Sequence, residues 1–273
     1  MGMEIGVINY LTKSGHLFEH VSHFGLKVCQ LASWDITFAT EEMAKQVVRD
    51  SNDSGVRVCA VWAGVPGPRV WNFIDGPETL GLVPAQYRTD RVQALKQWAD
   101  FASWIGAPAI ITHCGFIPEN MTDAQYQPVV DAIKEVAQYC GQKGIEFWLE
   151  TGQETPIVML RTIERAGTLN LGINLDPANL ILYGKGNPID SLDVFGKYVR
   201  NIHVKDGLYP TNGDQLGLEV PAGEGKVNFP EFIRKLQEMG YTGELIIERE
   251  ISGEQQTADI RNTVNKLHDW IHQ

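Results

Sequence analysis

The chain has 273 residues, 43% of them hydrophobic and 21% charged, with 27 glycines and 13 prolines. This is ordinary globular usage with enough apolar content for a sizeable core, and it excludes disorder, collagen and coiled coil. With 34 acidic against 23 basic side chains, the net charge of −11 repels nucleic-acid phosphates and anionic membrane surfaces. No apolar run approaches the roughly 20 residues of a membrane span. The opening MGMEIGVINY has no signal-peptide pattern, so the sequence reads as cytoplasmic. Cys29, Cys59, Cys114 and Cys140 are widely spaced with no CxxC pair, and read as buried thiols without chemistry.

Eight short runs rich in branched residues are expected as strands: 3–10, 26–33, 56–64, 107–115, 144–151, 169–177, 199–206 and 243–250. Stretches with helical spacing separate them, such as TDRVQALKQWADFASWIGA and DAQYQPVVDAIKEVAQYCGQKG. Strict alternation implies parallel strands with right-handed crossovers, and a count of eight suits closure into one (β/α)8 TIM barrel over residues 1–273. A doubly wound open sheet is the alternative. It calls for a glycine-rich phosphate turn after the first strand, and INYLTKSGHLFEH contains none. The longest connection, Val65 to about Thr89, carries prolines, glycines, Trp71 and Phe73 and is expected to be a lid.

Along the chain, polar and aromatic residues recur where the strands end: Trp34, Trp62, His113, Glu150, Asp176, His203 with Lys205 and Asp206, and Glu248. In a barrel these ends open on one face, so residues far apart in sequence converge there. Glu150, Asp176, His203 and Glu248 come from four consecutive strands. Three crowded carboxylates and an imidazole repel unless a cation compensates them. An oxygen-rich set with one nitrogen suits manganese first, or magnesium, with cobalt and zinc as alternatives, and leaves positions open for substrate oxygens.

The motifs THCG at His113, WLETGQET at Glu150, NLDPANL at Asp176, IHVKDG at His203, PAGEGKVNF, and LIIERE at Glu248 together resemble the xylose-isomerase-like barrels. That family includes sugar isomerases and epimerases, inosose-processing enzymes and apurinic endonucleases. The resemblance covers nearly the whole chain and implies that Glu150, Asp176, His203 and Glu248 hold the metal, while Glu150 and Glu248 double as catalytic acid and base. The implied reaction removes a proton next to a carbonyl, giving an enediolate, and returns it to the same or the adjacent carbon.

Two positions depart from the ketose epimerase pattern: Asn179 stands where a histidine is usual, and LYPTNG follows His203 where an arginine is usual. Expected substrate contacts are His113, Asn179, Lys205, Trp34, Trp62 and Glu154, the last standing near a substrate-binding glutamate of the epimerases. Lys205 is expected to bind a substrate oxygen or phosphate, or to pair with Asp206 or another rim carboxylate. Glu224 lies in a turn that is a candidate closing loop. The resemblance thus implies a sugar or keto-polyol substrate and, by family analogy, a homo-oligomer. Three alternatives stand beside isomerisation or epimerisation: β-elimination from an inosose or 3-keto-glycoside, a non-catalytic sugar-binding barrel, and metal-dependent DNA hydrolysis. The last calls for more rim histidines and a basic groove.

Overall fold

Residues 2–13 and 15–272 are described by a computed structural model of the protein. The branched runs form β1 (Glu4–Tyr10), β2 (Val28–Ser33), β3 (Arg57–Ala63), β4 (Ala109–His113), β5 (Glu146–Glu150), β6 (Leu171–Leu175), β7 (Val199–Val204) and β8 (Glu244–Ile247). Each strand pairs in parallel with the next, and β8 closes onto β1, which is the expected TIM barrel. The sixth and eighth strands are shorter than their apolar runs and stop before the polar residue that follows. Asp176 and Glu248 therefore stand just beyond β6 and β8.

Side chains alternate across this sheet with period two. Val7, Leu31, Val61, Ile110, Phe147, Ile173, Ile202 and Leu245 belong to the larger core, shared with the surrounding helices. Burying a side chain such as Phe147 completely contributes about 1.5–3 kcal/mol. The alternate residues Ile8, Ala60, Ile111, Trp148 and Ile246 form a separate cluster that plugs the barrel. Buried polar groups accompany the plug: Gln30 Nε2 donates to Asn174 Oδ1 and Asn201 Oδ1, both at 3.4 Å.

The long connection differs from the expected lid. It contains a helical turn at Gly76–Thr79, and the next helix, Ala85–Ile105, begins before Thr89. From that helix Arg91, 1% exposed, reaches back to the connection. Its guanidinium donates to the carbonyls of Pro66 (3.0 Å), Pro68 (2.8 Å) and Gly81 (2.7 Å), tying both ends of the connection to one side chain. Gly81 has φ +66°, and a Cβ there would lie 2.0 Å from the Cys114 carbonyl carbon, so only glycine lets the strap seat against the end of β4. Trp71 and Phe73 are thus carried on a fastened strap.

Replacing Arg91 with Met is expected to strand three carbonyls and cost about 3 kcal/mol. In a thermal melt this corresponds to a drop of roughly 6–12 °C. A lysine keeps the charge but lacks the planar fork and should recover only part of the loss. An unchanged melt for Arg91→Met would mean that apolar contacts alone hold the strap.

No described helix is long and apolar enough to cross a membrane. The four cysteines are buried and free, as expected.

Candidate active site

The four residues expected to bind metal meet at the C-terminal mouth of the barrel. Glu150 ends β5, His203 lies on β7, and Asp176 and Glu248 follow β6 and β8. One ligand atom from each can be chosen so that all lie within 4.8 Å of one another. His203 Nδ1 stands 3.1 Å from Glu150 Oε1, 3.1 Å from Glu248 Oε2 and 3.7 Å from Asp176 Oδ2.

Local hydrogen bonds aim these groups. Asp176 caps the helix Pro177–Leu182: its Oδ1 accepts the Asn179 N–H at 2.9 Å, which leaves Oδ2 facing the site. Thr151 staples the same residue in place, since its hydroxyl accepts the Asp176 N–H (2.9 Å) and donates to the Asp176 carbonyl (2.8 Å). On His203, Nε2 faces Gln30 Oε1 at 2.8 Å. Nε2 also lies 3.1 Å from Asn174 Nδ2; with its N–H donating to Gln30 Oε1, the Nδ1 lone pair turns toward the carboxylates, the arrangement of a metal-bound imidazole. Glu150 accepts a hydrogen bond from Trp62 Nε1 and stands 3.5 Å from His113 Nε2.

Lys205 completes the cluster. Its buried ammonium lies 3.3 Å from Asp176 Oδ2, 3.3 Å from Glu248 Oε2, 3.1 Å from Glu250 Oε1 and 3.2 Å from Asn179 Oδ1. Burial opposes its charge, but Asp176, Glu248 and Glu250 outweigh burial and hold the ammonium well above its ordinary pKa. Burial likewise opposes ionisation of Glu248, yet Lys205 and His203 hold that carboxyl below its usual range. Glu150 is also held low: burial is outweighed by the imidazoles of His113 and His203. His203 carries the larger share of that positive charge, because burial lowers His113 whereas Glu150 and Glu248, against burial, raise His203 well above its usual value.

The donor set fits a divalent cation. His203 Nδ1 and Asp176 Oδ2 are buried 3.7 Å apart, and although ion-pair partners stand near both, neither has a well-aligned hydrogen bond. The three ligand carboxylates carry more negative charge than Lys205, which Glu250 also shares, can balance, and a divalent ion would compensate the excess. Glu150, Asp176, His203 and Glu248, each with one ligand atom within 4.8 Å of the others, would hold it.

A cavity of about 560 Å³ opens over the centre, lined by Trp34, Trp62, Trp71, His113, Glu150 and Glu248 among others. Trp34 packs edge-on against Trp62 (4.4 Å) and Trp71 (6.1 Å), and Trp71 against His113 (5.1 Å), so an aromatic wall stands beside the ligands. Asn179 and Lys205 also line this cavity. Glu154 does not. Its carboxyl is buried outside the cavity lining, where burial pushes its pKa up to about 8.

Asp206 faces away from the ligands and from Lys205. It accepts the N–H groups of Gly207, Gly223, Gly225 and Val227 at 2.9–3.1 Å, making PAGEGKVNF a backbone nest around one carboxylate. A Cβ on Gly225 would sit 2.1 Å from Asp206 Oδ1, which accounts for that glycine. Glu224 is exposed and 3.9 Å from Lys266. Sequence reading passed over Gln30, Thr151, Tyr10 and Glu250. The available signals were a polar residue inside the apolar run LKVCQLAS and a second carboxylate in LIIERE.

The chain belongs to the xylose isomerase-like TIM barrel family, whose model matches residues 18–270. Among solved structures it is similar to a xylose isomerase domain protein from Planctomyces limnophilus, at 35% identity and a TM-score of 0.93 over 99% of this chain and 98% of that one. It also shares the fold of a D-tagatose 3-epimerase-like protein, at 20% identity and a TM-score of 0.76 over 99% and 97% of the two chains. By sequence it is 24% identical to the inosose dehydratase of Geobacillus kaustophilus over 190 residues, covering 59% of this chain and 62% of that protein. The chain spans about three-fifths of the length of the curated relatives it matches.

Proposed function

We propose that the protein is a divalent-metal-dependent isomerase or epimerase that removes a proton next to the carbonyl of a keto sugar or keto-polyol. The observation that carries this reading is the pair Glu150 and Glu248, each 3.1 Å from His203 Nδ1 but held in different surroundings. Glu150 is bonded to the Trp62 indole, and Glu248 to the Lys205 ammonium. Two carboxylates with distinct partners can serve as base and acid in one turnover. Manganese is the ion assigned to Glu150, Asp176, His203 and Glu248. When bound, it supplies positive charge for the carbonyl oxygen as the proton leaves. Glu150 and Glu248 take and return the proton, the tryptophan wall excludes water from one side of the sugar, and His113 and Asn179 contact its hydroxyls. Return to the same carbon inverts it; return to its neighbour isomerises the sugar.

A second reading keeps the proton removal and ends in β-elimination. It is favoured by Lys205, which Asn179 holds beside Glu248 where a leaving oxygen needs a proton. The similarity to inosose dehydratase also supports it.

Incubation of the manganese-loaded protein in D2O with ketoses, inososes and 3-keto-glycosides, followed by proton spectra, tests both readings. Deuterium beside the carbonyl with an epimer or isomer is the expected result. An enone with released water or aglycone would select elimination. Absence of exchange across the panel, with manganese shown to be bound, would refute the enolising chemistry.

A further inference from the structure

Beside the metal centre lies a second cavity, also of about 560 Å³, between the ends of β1 and β8 and the helices Glu19–His23 and Glu254–Ile271. The two cavities share Ile8, Tyr10, Glu248, Arg249, Glu250 and Gln256 as lining residues, so they adjoin along one wall of the mouth. Glu248 lines both. A carbon held next to its carboxylate in the first cavity can therefore carry a substituent into the second. Each cavity alone falls within the roughly 300–1,000 Å³ of whole small-molecule sites. A single six-carbon ring leaves one cavity empty.

We infer that the substrate is an uncharged keto-glycoside whose second, hydroxylated ring occupies this neighbouring cavity, an assignment that rests on the enolising reading above. The walls fit such a ring. The Tyr10 side chain, 52% exposed at the shared boundary, offers an aromatic face, and the imidazoles of His16 and His20 offer hydrogen-bond donors and acceptors for hydroxyls, while His23 Nε2 already faces Arg261 Nη2 at 2.7 Å.

The walls do not fit a phosphate. Among the described lining residues the one arginine, Arg249, is held at 2.8 Å by both Glu219 and Asp259, and the one lysine, Lys205, is held by Asp176, Glu248 and Glu250. No lining guanidinium or ammonium is left over for a phosphate dianion. The acidic chain as a whole also disfavours an anionic substrate.

Solvent deuterium exchange with the manganese-loaded full chain provides the test, using 3-ketoglucose, its disaccharide with glucose as the second ring, and a ketose phosphate. The disaccharide is expected to exceed 3-ketoglucose in kcat/KM at least tenfold. His16→Trp and His20→Trp, two exposed positions in the second cavity, should each lower that preference at least tenfold, chiefly by raising KM for the disaccharide. Melting curves of both variants report whether they fold. Equal kcat/KM for the two sugars, or an unaltered preference in both folded variants, would overturn the second-ring assignment while leaving the enolising reading in place. A faster reaction with the ketose phosphate would overturn the uncharged substrate. No exchange with any of the three, with metal bound, would overturn both readings together.

Discussion

Glu248→Gln is expected to slow solvent exchange at the substrate carbon by roughly 10²–10⁴, the usual contribution of a positioned general base. The amide preserves the shape and keeps one oxygen for the cation, so the loss isolates proton transfer better than alanine does. Lys205, 3.3 Å from Glu248 Oε2, retains Asp176 and Glu250 as partners and stays charged. Glu150→Gln removes the second carboxylate, and Trp62 Nε1 still finds an oxygen there. If one glutamate serves each face of the sugar, each variant should block exchange from one epimer more severely than from the other. Manganese content measured on the same preparations separates lost metal from lost base. Unimpaired exchange in Glu248→Gln would dismiss the acid–base pair.

The contrast between these two glutamates also explains why the centre needs so many supporting residues. Glu150 is 2% exposed and Asp176 and His203 are fully buried. Buried ionised groups are tolerated only when each has a compensating partner. Lys205 supplies one internal charge, and Asn179 and Thr151 fix the geometry around Asp176. Asn179 and Lys205 are bonded to each other at 3.2 Å, so the asparagine that departs from the ketose epimerase pattern is the residue that positions the lysine.

The barrel and the four expected ligands were legible because each depends on a short-range pattern: branched runs at regular intervals, each closed by a polar residue. Period-two alternation then places His203 on β7 and Lys205, just beyond its end, on the same inner side. What escaped reading depends on which strands lie side by side and how far their loops turn. Thr151 matters only because the end of β5 meets the residue after β6, a pairing that residues 25 apart in sequence do not announce. Gln30 orients His203 across 173 positions. Asp206 looked like a rim carboxylate beside Lys205, but the chain leaves the barrel there and pairs Asp206–Gly207 with Glu219–Val220. The strap's attachment was equally hidden, since nothing in the run TDRVQALKQWAD distinguishes Arg91 from a solvated helical arginine.

Glu154→Gln is expected to stabilise the protein increasingly as pH rises. Burial raises the Glu154 carboxyl from 4.5 to about 8, outweighing the amides of Glu154 and Gly152 and the charge of Lys185. The folded protein therefore keeps the proton at neutral pH, whereas the unfolded chain releases it above its lower pKa. Between those values the unfolded state binds fewer protons, so stability falls as pH climbs from about 4.5 and levels off above about 8. At about 1.4 kcal/mol per unit, this amounts to an upper bound of a few kcal/mol, on the order of 3–5 at alkaline pH. A glutamine of the same shape has no proton to lose and escapes the penalty. Denaturant unfolding of both proteins at pH 5, 7 and 9, with metal chelated throughout, should give curves that nearly coincide at pH 5 and separate steadily above it. The other titrating groups are common to both proteins and cancel in the difference. A constant offset across the three pH values would show that the Glu154 carboxyl is already ionised in the folded barrel, with Lys185 or a bound water stabilising its charge.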